Sequence, residues 1–388
     1  MGPAGPTRIR RQALLAALGC ILLIYLLFHS SSSLLDAAMQ PGALLGAKTL
    51  SADSTPEDIA LFRQSATRRL QRLFPYDLKY QRAYPRHVWQ TWKYRMADMR
   101  TTPSFRRRAQ TWDEFAKDGE FTHEVLDDES ANAMVRQVYS SVPDVVEAYF
   151  SMPVPILRAD FFRYLILFAR GGIYSDMDTV PLKPLGTWLA RTNTPSIRDH
   201  SGKEALDISD GEAGELTAEE ALERLERALD ANTGLAVGIE ADPDRPDWHD
   251  WYARRVQFCQ WTMVAKRGHP VLARLIAHIT TETLRRKVTS TLALPDTKDA
   301  GSQIMDWTGP GIWTDTIFQY LDEQQPGTTW KSLTGAKVAR QFGDVLVLPI
   351  TAFSPGVNTM GAGQISHPHA LVQHTFEGSW KPEDERIL

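Results

Sequence analysis

Two acidic residues set two positions apart, Asp176 and Asp178, carry the first chemistry legible in this chain. Neighbouring carboxylates repel unless a cation joins them, and hard oxygen donors of this kind suit Mg²⁺ or Mn²⁺. A divalent ion held there can in turn hold a pyrophosphate. An ordinary solvated turn presents the same tripeptide, and three residues alone do not separate the two readings. The setting adds information. Residues 159–169 place Phe162, Leu165, Ile166 and Ala169 at helical spacing with almost no polar interruption, which predicts a largely buried helix. Gly171 and Gly172 are suited to ending it, because glycine takes positive φ without strain. Residues 173–177 then predict a short strand. In an extended backbone Asp176 and Asp178 project to one side and form a single oxygen-rich corner.

The elements that must position this corner follow an alternating pattern. Residues 84–93, YPRHVWQTWK, read as the first strand of an α/β sheet and the loop at its carboxyl end, where ligands collect. Residues 111–121 and 128–139 predict helices flanking a short strand, and 143–150 another helix, as in the βα units of a Rossmann-like half. Residues 196–230 are acidic and lack aromatics, which predicts a surface insertion with one amphipathic helix marked by Leu222, Leu225 and Leu229. Further on, 235–240 reads as a strand, and the run 254–276 as an apolar strand leading through Gly268, His269 and Pro270 into a helix. At 308–318, TGPGIWTDTIF, a Gly-Pro-Gly turn enters a helix that Thr314 or Asp315 could simply cap. Residues 345–349 predict a last strand.

The apolar helix, the double glycine and the Asp-x-Asp together resemble the sugar-nucleotide site of glycosyltransferase family 32, the DXD sugar-binding enzymes. The likeness is to those of the fungal Golgi initiating α-1,6-mannosyltransferase type and spans residues 84–381 through several separate motifs. It implies a GT-A (Rossmann-like) domain, a GDP-mannose donor, a Mn²⁺ or Mg²⁺ cofactor, and an N-glycan acceptor on glycoprotein. Carried over residue by residue, it implies nucleotide contacts at Trp89, Gln90 and Thr91, and donor-sugar contacts at Asp160, Arg163 and Tyr174. Read from the residues alone, Trp89 and Trp92 are equally ordinary core aromatics, and Asp160 and Arg163 could pair with each other. The segment 308–318 resembles the Gly-Pro loop near the acceptor, which makes Asp315 a candidate acceptor contact; Asp242, Gln257 and Gln260 are weaker candidates for that side. The tail HTFEGSWK resembles the segment that completes the metal site: His374 as third ligand, with Gly378, Trp380 and Lys381 closing over the diphosphate. A single histidine is otherwise more often structural.

A chain of 388 residues can bury a full core, and its net charge of -4 gives no broad basic field, so nucleic acid is excluded as an expected partner. The two cysteines, Cys20 and Cys259, define no disulfide framework. Arg8, Arg10 and Arg11 precede an uncharged apolar run at 13–28 that reads as a membrane anchor or a cleavable signal, with the anchor favoured. Arginines on its N-terminal side predict a cytoplasmic tail at 1–12 and a lumenal remainder, and the family likeness implies the same single-pass type II layout in the Golgi. Residues 29–80 are read as a stem ending in an amphipathic helix at 56–74, and 81–388 as the catalytic domain. Two rivals keep the fold: an inositol-phosphoceramide mannosyltransferase of the same family, and a catalytically silent scaffold subunit of a mannosyltransferase complex. A metal-dependent phosphohydrolase would need more ligands than this corner supplies.

Overall fold

From Asp160 to Ala169 every residue of one helix is buried, and the sheet and the other helices are laid around it. This computed structural model describes residues 49–81, 83–118, 120–188, 232–295 and 299–378. In chain order the helices are α1 (Pro56–Leu73), α2 (Pro103–Asp118), α3 (Asp128–Val138), α4 (Pro143–Ser151), α5 (Pro155–Arg170), α6 (Pro270–Val288), α7 (Asp299–Trp307), α8 (Pro310–Gln324) and the short α9 (Ile350–Phe353). The strands are β1 (His87–Trp92), β2 (Thr122–Asp127), β3 (Gly172–Ser175), β4 (Thr179–Pro181), β5 (Leu235–Ala241), β6 (Gln257–Ala265), β7 (Arg340–Phe342), β8 (Val345–Leu348) and β9 (Val372–His374).

Seven strands form one mixed sheet in the order β2-β1-β3-β6-β5-β8-β7, and β4 and β9 pair separately. The pairs β1/β2, β1/β3 and β5/β8 are parallel, while β6 and β7 run against their neighbours, so five strands share a direction. Their carboxyl ends therefore lie along one edge, where an α/β sheet gathers its ligands. Strand alternation divides the core. Leu235, Val237 and Ile239 face a cluster shared with α1, α3 to α6 and α8, and Ala236 faces a second cluster with Trp112, Trp188 and Phe353.

The α5 helix starts at Pro155 in its first turn and ends where Gly171 turns to φ +69°, its amide closing on the Leu167 carbonyl at 2.8 Å. Gly172 follows at φ +99°, and a Cβ there would stand 2.4 Å from the His87 carbonyl oxygen, so only glycine lets β3 lie this close to β1. Three expectations are corrected. The strand after the glycines ends at Ser175, so Asp176 and Asp178 sit in the turn joining β3 to β4, with Thr179 N–H closing on the Asp176 carbonyl at 3.2 Å. Helix α2 begins at Pro103 rather than near residue 111, because Pro103 suits a first turn. The helix assigned to a stem belongs to the catalytic unit. Thr55 and Asp58 form its capping box, and Phe62, Ala66 and Leu70, four residues apart, are buried in the main core against α6. The membrane run at 13–28 and the insertion at 196–230 lie outside the described residues; among those described, no helix is long and apolar enough to cross a membrane.

At the sheet edge remote from the Asp pair, Asp344 joins distant segments. It accepts from the hydroxyls of Tyr76 and Tyr320, the latter at 2.9 Å, and its carboxylate lies 3.2 Å from His269 Nε2. Burial alone would raise this carboxyl, but His269 and the two tyrosine hydroxyls overcome it and bring it down to about 2 from 3.8. A depressed carboxylate stabilises the fold fully above its unfolded value, and the contribution disappears as pH falls through the folded one. Asp344→Asn is expected to lose about 2 kcal/mol in urea denaturation at neutral pH. The gap to wild type should hold down to about pH 5 and narrow from about pH 4 toward about pH 2. A gap independent of pH would contradict this account.

Candidate active site

Within its wholly buried stretch, residues 160–169, α5 carries two charged side chains, Asp160 and Arg163, and both are used. Arg163 Nη2 lies 2.9 Å from Asp160 Oδ1 and 3.4 Å from Asp176 Oδ1, so one guanidinium joins the helix to the acidic turn. Asp160 also accepts from Thr308 Oγ1 at 3.1 Å, just before α8. Tyr174 on β3 donates its hydroxyl to Asp176 Oδ1 at 2.9 Å and meets Thr91 Oγ1 of β1 at 3.1 Å. The backbone is held as firmly: Asp176 N–H bonds the Trp261 carbonyl at 2.8 Å, and its carbonyl accepts from Gln90 Nε2 at 2.9 Å and from Thr179 Oγ1 at 2.6 Å.

The second carboxylate is placed by the chain's C-terminal strand. β9 pairs with β4 so that His374 stands opposite Thr179, which brings His374 Nε2 to 3.2 Å from Asp178 Oδ1. The imidazole stacks on the Trp261 indole at 4.5 Å and 10°, with Phe376 edge-on at 4.2 Å. Thr375 N–H bonds the Asp178 carbonyl at 2.9 Å, and Glu377 N–H bonds Asp178 Oδ2 at 3.2 Å. Glu377 is itself ion-paired with Arg108 of α2.

Asp176, Asp178 and His374 offer one ligand atom each, all within 4.8 Å of one another. Two carboxylate oxygens and one imidazole nitrogen fit the hard-to-borderline preference of Mn²⁺ or Mg²⁺. The fit has a second support in His374 Nδ1, which is shielded from solvent and has no hydrogen-bond partner. The electrostatics agree. Burial pushes Asp160 up to about 6 against the pull of Arg163, and burial likewise raises Asp176. Burial works against the charge on Arg163 as well, yet Asp176 and Asp160 hold it above the usual guanidinium range. At Asp178 burial is overcome by the His374 contact, and the carboxyl falls below its ordinary value. Three carboxylates against one guanidinium leave this corner with an excess of two negative charges, the complement of a divalent cation.

The expected residues thus fall into groups. Asp176, Asp178, His374, Asp160, Arg163, Tyr174 and Thr91 form one connected set. Gln90 is fully buried, linking the Asp176 carbonyl to His123 Nε2 at 3.0 Å, and the Trp89 indole points into the core and bonds the Gly171 carbonyl at 2.9 Å. Asp315 is held by Arg254 at 2.6 and 2.5 Å, and no contact joins it to the acidic turn among the described residues. Neither Thr314 nor Asp315 caps α8: Gly309 stands at the cap, and Thr314 Oγ1 instead accepts from Phe258 N–H at 2.9 Å. Gly378 has φ +57°, while Trp380 and Lys381 lie outside the described residues.

Sequence reasoning missed three participants. Thr308 and Trp261 are identifiable only through partners more than eighty residues away, and no local pattern marks them. The third is Glu240 near the end of β5, whose Oε2 is covered and unpartnered. Burial pushes its carboxyl up to about 7 despite Gln257 and the nearby His374.

Comparison with known proteins agrees with this chemistry. Residues 103–195 match the family described as "Glycosyltransferase sugar-binding region containing DXD motif", which contains α5 and the acidic turn. Fold and site together define a DXD glycosyltransferase. The chain is 43% identical over 343 residues to the initiation-specific α-1,6-mannosyltransferase of Candida albicans, covering 85% of this chain and 79% of that one. It is 41% identical to the Schizosaccharomyces pombe protein of the same name, over 80% and 67% of the two chains. The Saccharomyces cerevisiae one is 33% identical over 94% and 95%. The chain belongs to this family of initiation-specific α-1,6-mannosyltransferases.

Two measurements follow from the geometry. Calorimetric titration with Mn²⁺ should show affinity falling at least tenfold in Asp178→Asn and in His374→Ala; unchanged affinity in both would remove the metal assignment. Arg163→Met, which leaves Asp160 and Asp176 buried without their cation, should lower stability by about 3 kcal/mol in denaturant. Arg163→Met combined with Asp160→Asn should recover part of that loss.

Proposed function

We propose that this chain transfers mannose from GDP-mannose to a mannose hydroxyl on the core of a protein-linked N-glycan, forming an α-1,6 link with retention at the anomeric carbon. One observation carries the reading: the Asp176, Asp178 and His374 corner is locked by Arg163 onto α5, in a chain that belongs to the initiation-specific α-1,6-mannosyltransferases. We assign the domain to the GT-A type, on the parallel β1 to β3 half with the acidic turn at its carboxyl edge. The cellular setting in the same proposal is the Golgi lumen, with residues 13–28 as a single type II span.

A bound Mn²⁺ or Mg²⁺ would supply positive charge to the departing diphosphate. The chain's own residues do the rest. Asp176 and Asp178 hold the cation site, Arg163 and Tyr174 fix Asp176, and Asp160 orients Arg163. Thr91 and the carboxyl end of β1 mark the nucleotide side, where Trp89 and Gln90 shape the backbone. Gly378, Trp380 and Lys381 are assigned to the diphosphate side, with Lys381 adding a second positive charge. The bond from the anomeric carbon to the diphosphate oxygen breaks as the acceptor oxygen bonds to the same face of that carbon. The acceptor proton passes to the leaving diphosphate oxygen.

A donor screen with purified full-length protein and a Man8-type oligosaccharide tests the reading. GDP-mannose with Mn²⁺ should yield one added mannose removable by an α-1,6-specific mannosidase, and chelator should abolish it. Loss of one such electrostatic group is worth ~3 kcal/mol, so Asp178→Asn should lower kcat about a hundredfold or more. Transfer that persists in chelator, or that prefers a glycolipid acceptor, would overturn the proposal.

A further inference from the structure

Most of the described tryptophans are inside the protein, and Trp112, Trp188, Trp307 and Trp313 are wholly so. Two are exposed, Trp251 at 64% and Trp330 at 37%; Trp330 lines one surface recess, and Trp251 neighbours it through Arg245. This recess, of about 400 Å³, is lined by Asp244, Arg245, Pro246, Trp248, Arg255 and Trp330. Its walls come from the loop joining β5 to β6 and from the short turn Trp330–Ser332.

The recess is built rather than incidental. Asp242 clamps its two walls: it pairs with Arg255 Nη1 at 2.9 Å and accepts from Thr334 Oγ1 and from Gly335 N–H, both at 2.6 Å. Arg255 so fixed lies 5.2 Å from the Trp330 ring centre, and Arg245 lies 5.4 Å from that of Trp251. Each arginine already has a carboxylate partner, Arg255 in Asp242 and Arg245 in Asp247. The recess therefore offers indole faces and hydrogen-bonding groups, and both arginines of its lining are already paired with carboxylates. That chemistry suits a neutral polyhydroxyl ligand, whose C–H faces lie on indoles and whose hydroxyls reach carboxylates and guanidinium edges. It does not suit a phosphate.

Position supplies the second argument. The β5–β6 loop leaves the carboxyl end of β5, the sheet edge that carries the Asp176 turn, and β5 is separated from β3 by β6 alone. At the usual strand spacing β5 is about 10 Å from β3, the scale of one or two sugar rings. The recess lies on the β5 side, away from the nucleotide side at β1 and β2.

We infer that this recess is an acceptor subsite that holds mannose units of the oligosaccharide remote from the hydroxyl being modified, with Trp330 and Trp251 as stacking faces. The inference rests on the glycan-acceptor reading above and adds where the acceptor is gripped. It makes the tryptophans determinants of acceptor size rather than of bond formation.

The test compares full-length wild type, Trp330→Ala, Trp251→Ala, the double variant and Trp330→Phe. KM for a Man8-type oligosaccharide should rise at least tenfold in the double variant, while KM for methyl α-mannoside stays within twofold. Trp330→Phe should recover part of the affinity, and melting temperatures should not move. Equal losses on long and short acceptors, or no change on either, would overturn the inference. A binding readout separates it from the transfer reaction: without donor, the oligosaccharide should quench tryptophan fluorescence in wild type and not in the double variant. Quenching by GDP or by unglycosylated peptide in its place would assign the recess elsewhere. Saccharide-specific quenching without transfer would sink the mannosyltransferase reading and leave the recess as a glycan site.

Discussion

The arrangement depends on one guanidinium removed from water between two carboxylates. Arg163 is buried on a helix with no exposed face at that level, and it bridges Asp160 on its own helix and Asp176 on the turn beyond β3. Each ion loses several kcal/mol of hydration on burial, and only close, multiply bonded partners return it. The pair is therefore a poor device for stability and a good one for position. Because Arg163 is satisfied only when Asp176 faces it, the acidic turn has one orientation in which the core is electrically tolerable. The surplus negative charge that remains is directed outward at Asp178 and His374, where a cation can meet it.

That constraint explains why so small a strand is so heavily braced. β3 has four residues, too few to hold a turn rigid by ladder hydrogen bonds alone. Hydroxyls supply the rest: Ser175 meets Thr179 at 2.9 Å and Thr262 at 2.8 Å, tying both sides of the turn to β6. Gly172 lets β1 approach closely enough for Thr91 to reach Tyr174, so the glycine pair contributes to the site through distance as well as through helix termination.

Much of this was legible in the sequence, and the division between read and unread has a physical basis. Periodicity and punctuation identified α5, the glycine stop, the strand at 235–240 and the turn at Gly268 to Pro270, while the family resemblance of the tail brought His374 to the acidic corner. These are local signals, or motifs long enough to be specific. What escaped was long-range. The turn geometry at Asp176 depends on Trp261 and Thr375, which are far away in the chain. Thr308 sits in a segment whose Gly and Pro draw attention to the helix start, while its hydroxyl serves Asp160. The α1 helix read as a stem because its arginines suggest solvent, yet its narrow Phe62, Ala66, Leu70 stripe suffices to seat it on α6. An amphipathic helix does not announce from its own residues whether its apolar face has a partner.

The sheet also separates two tasks that a transferase must keep apart. On the β1 and β2 side, side chains turn inward: Trp89 onto the Gly171 carbonyl and Gln90 onto the Asp176 carbonyl, with the His123 ring holding the Gln90 amide. Those contacts fix shape where a flat nucleotide base would need a rigid wall. On the β5 side, side chains turn outward and charges are paired among themselves, as in Arg255 with Asp242 and Arg254 with Asp315. Pairing of that kind weakens the attraction these guanidiniums hold for an anion. β6 stands between the two sides and braces the acidic corner, through Trp261 against His374 and Gln260 against Tyr164 at 2.6 Å. A displacement of β6 would disturb the Asp176 turn and the His374 stack together, because both close on Trp261.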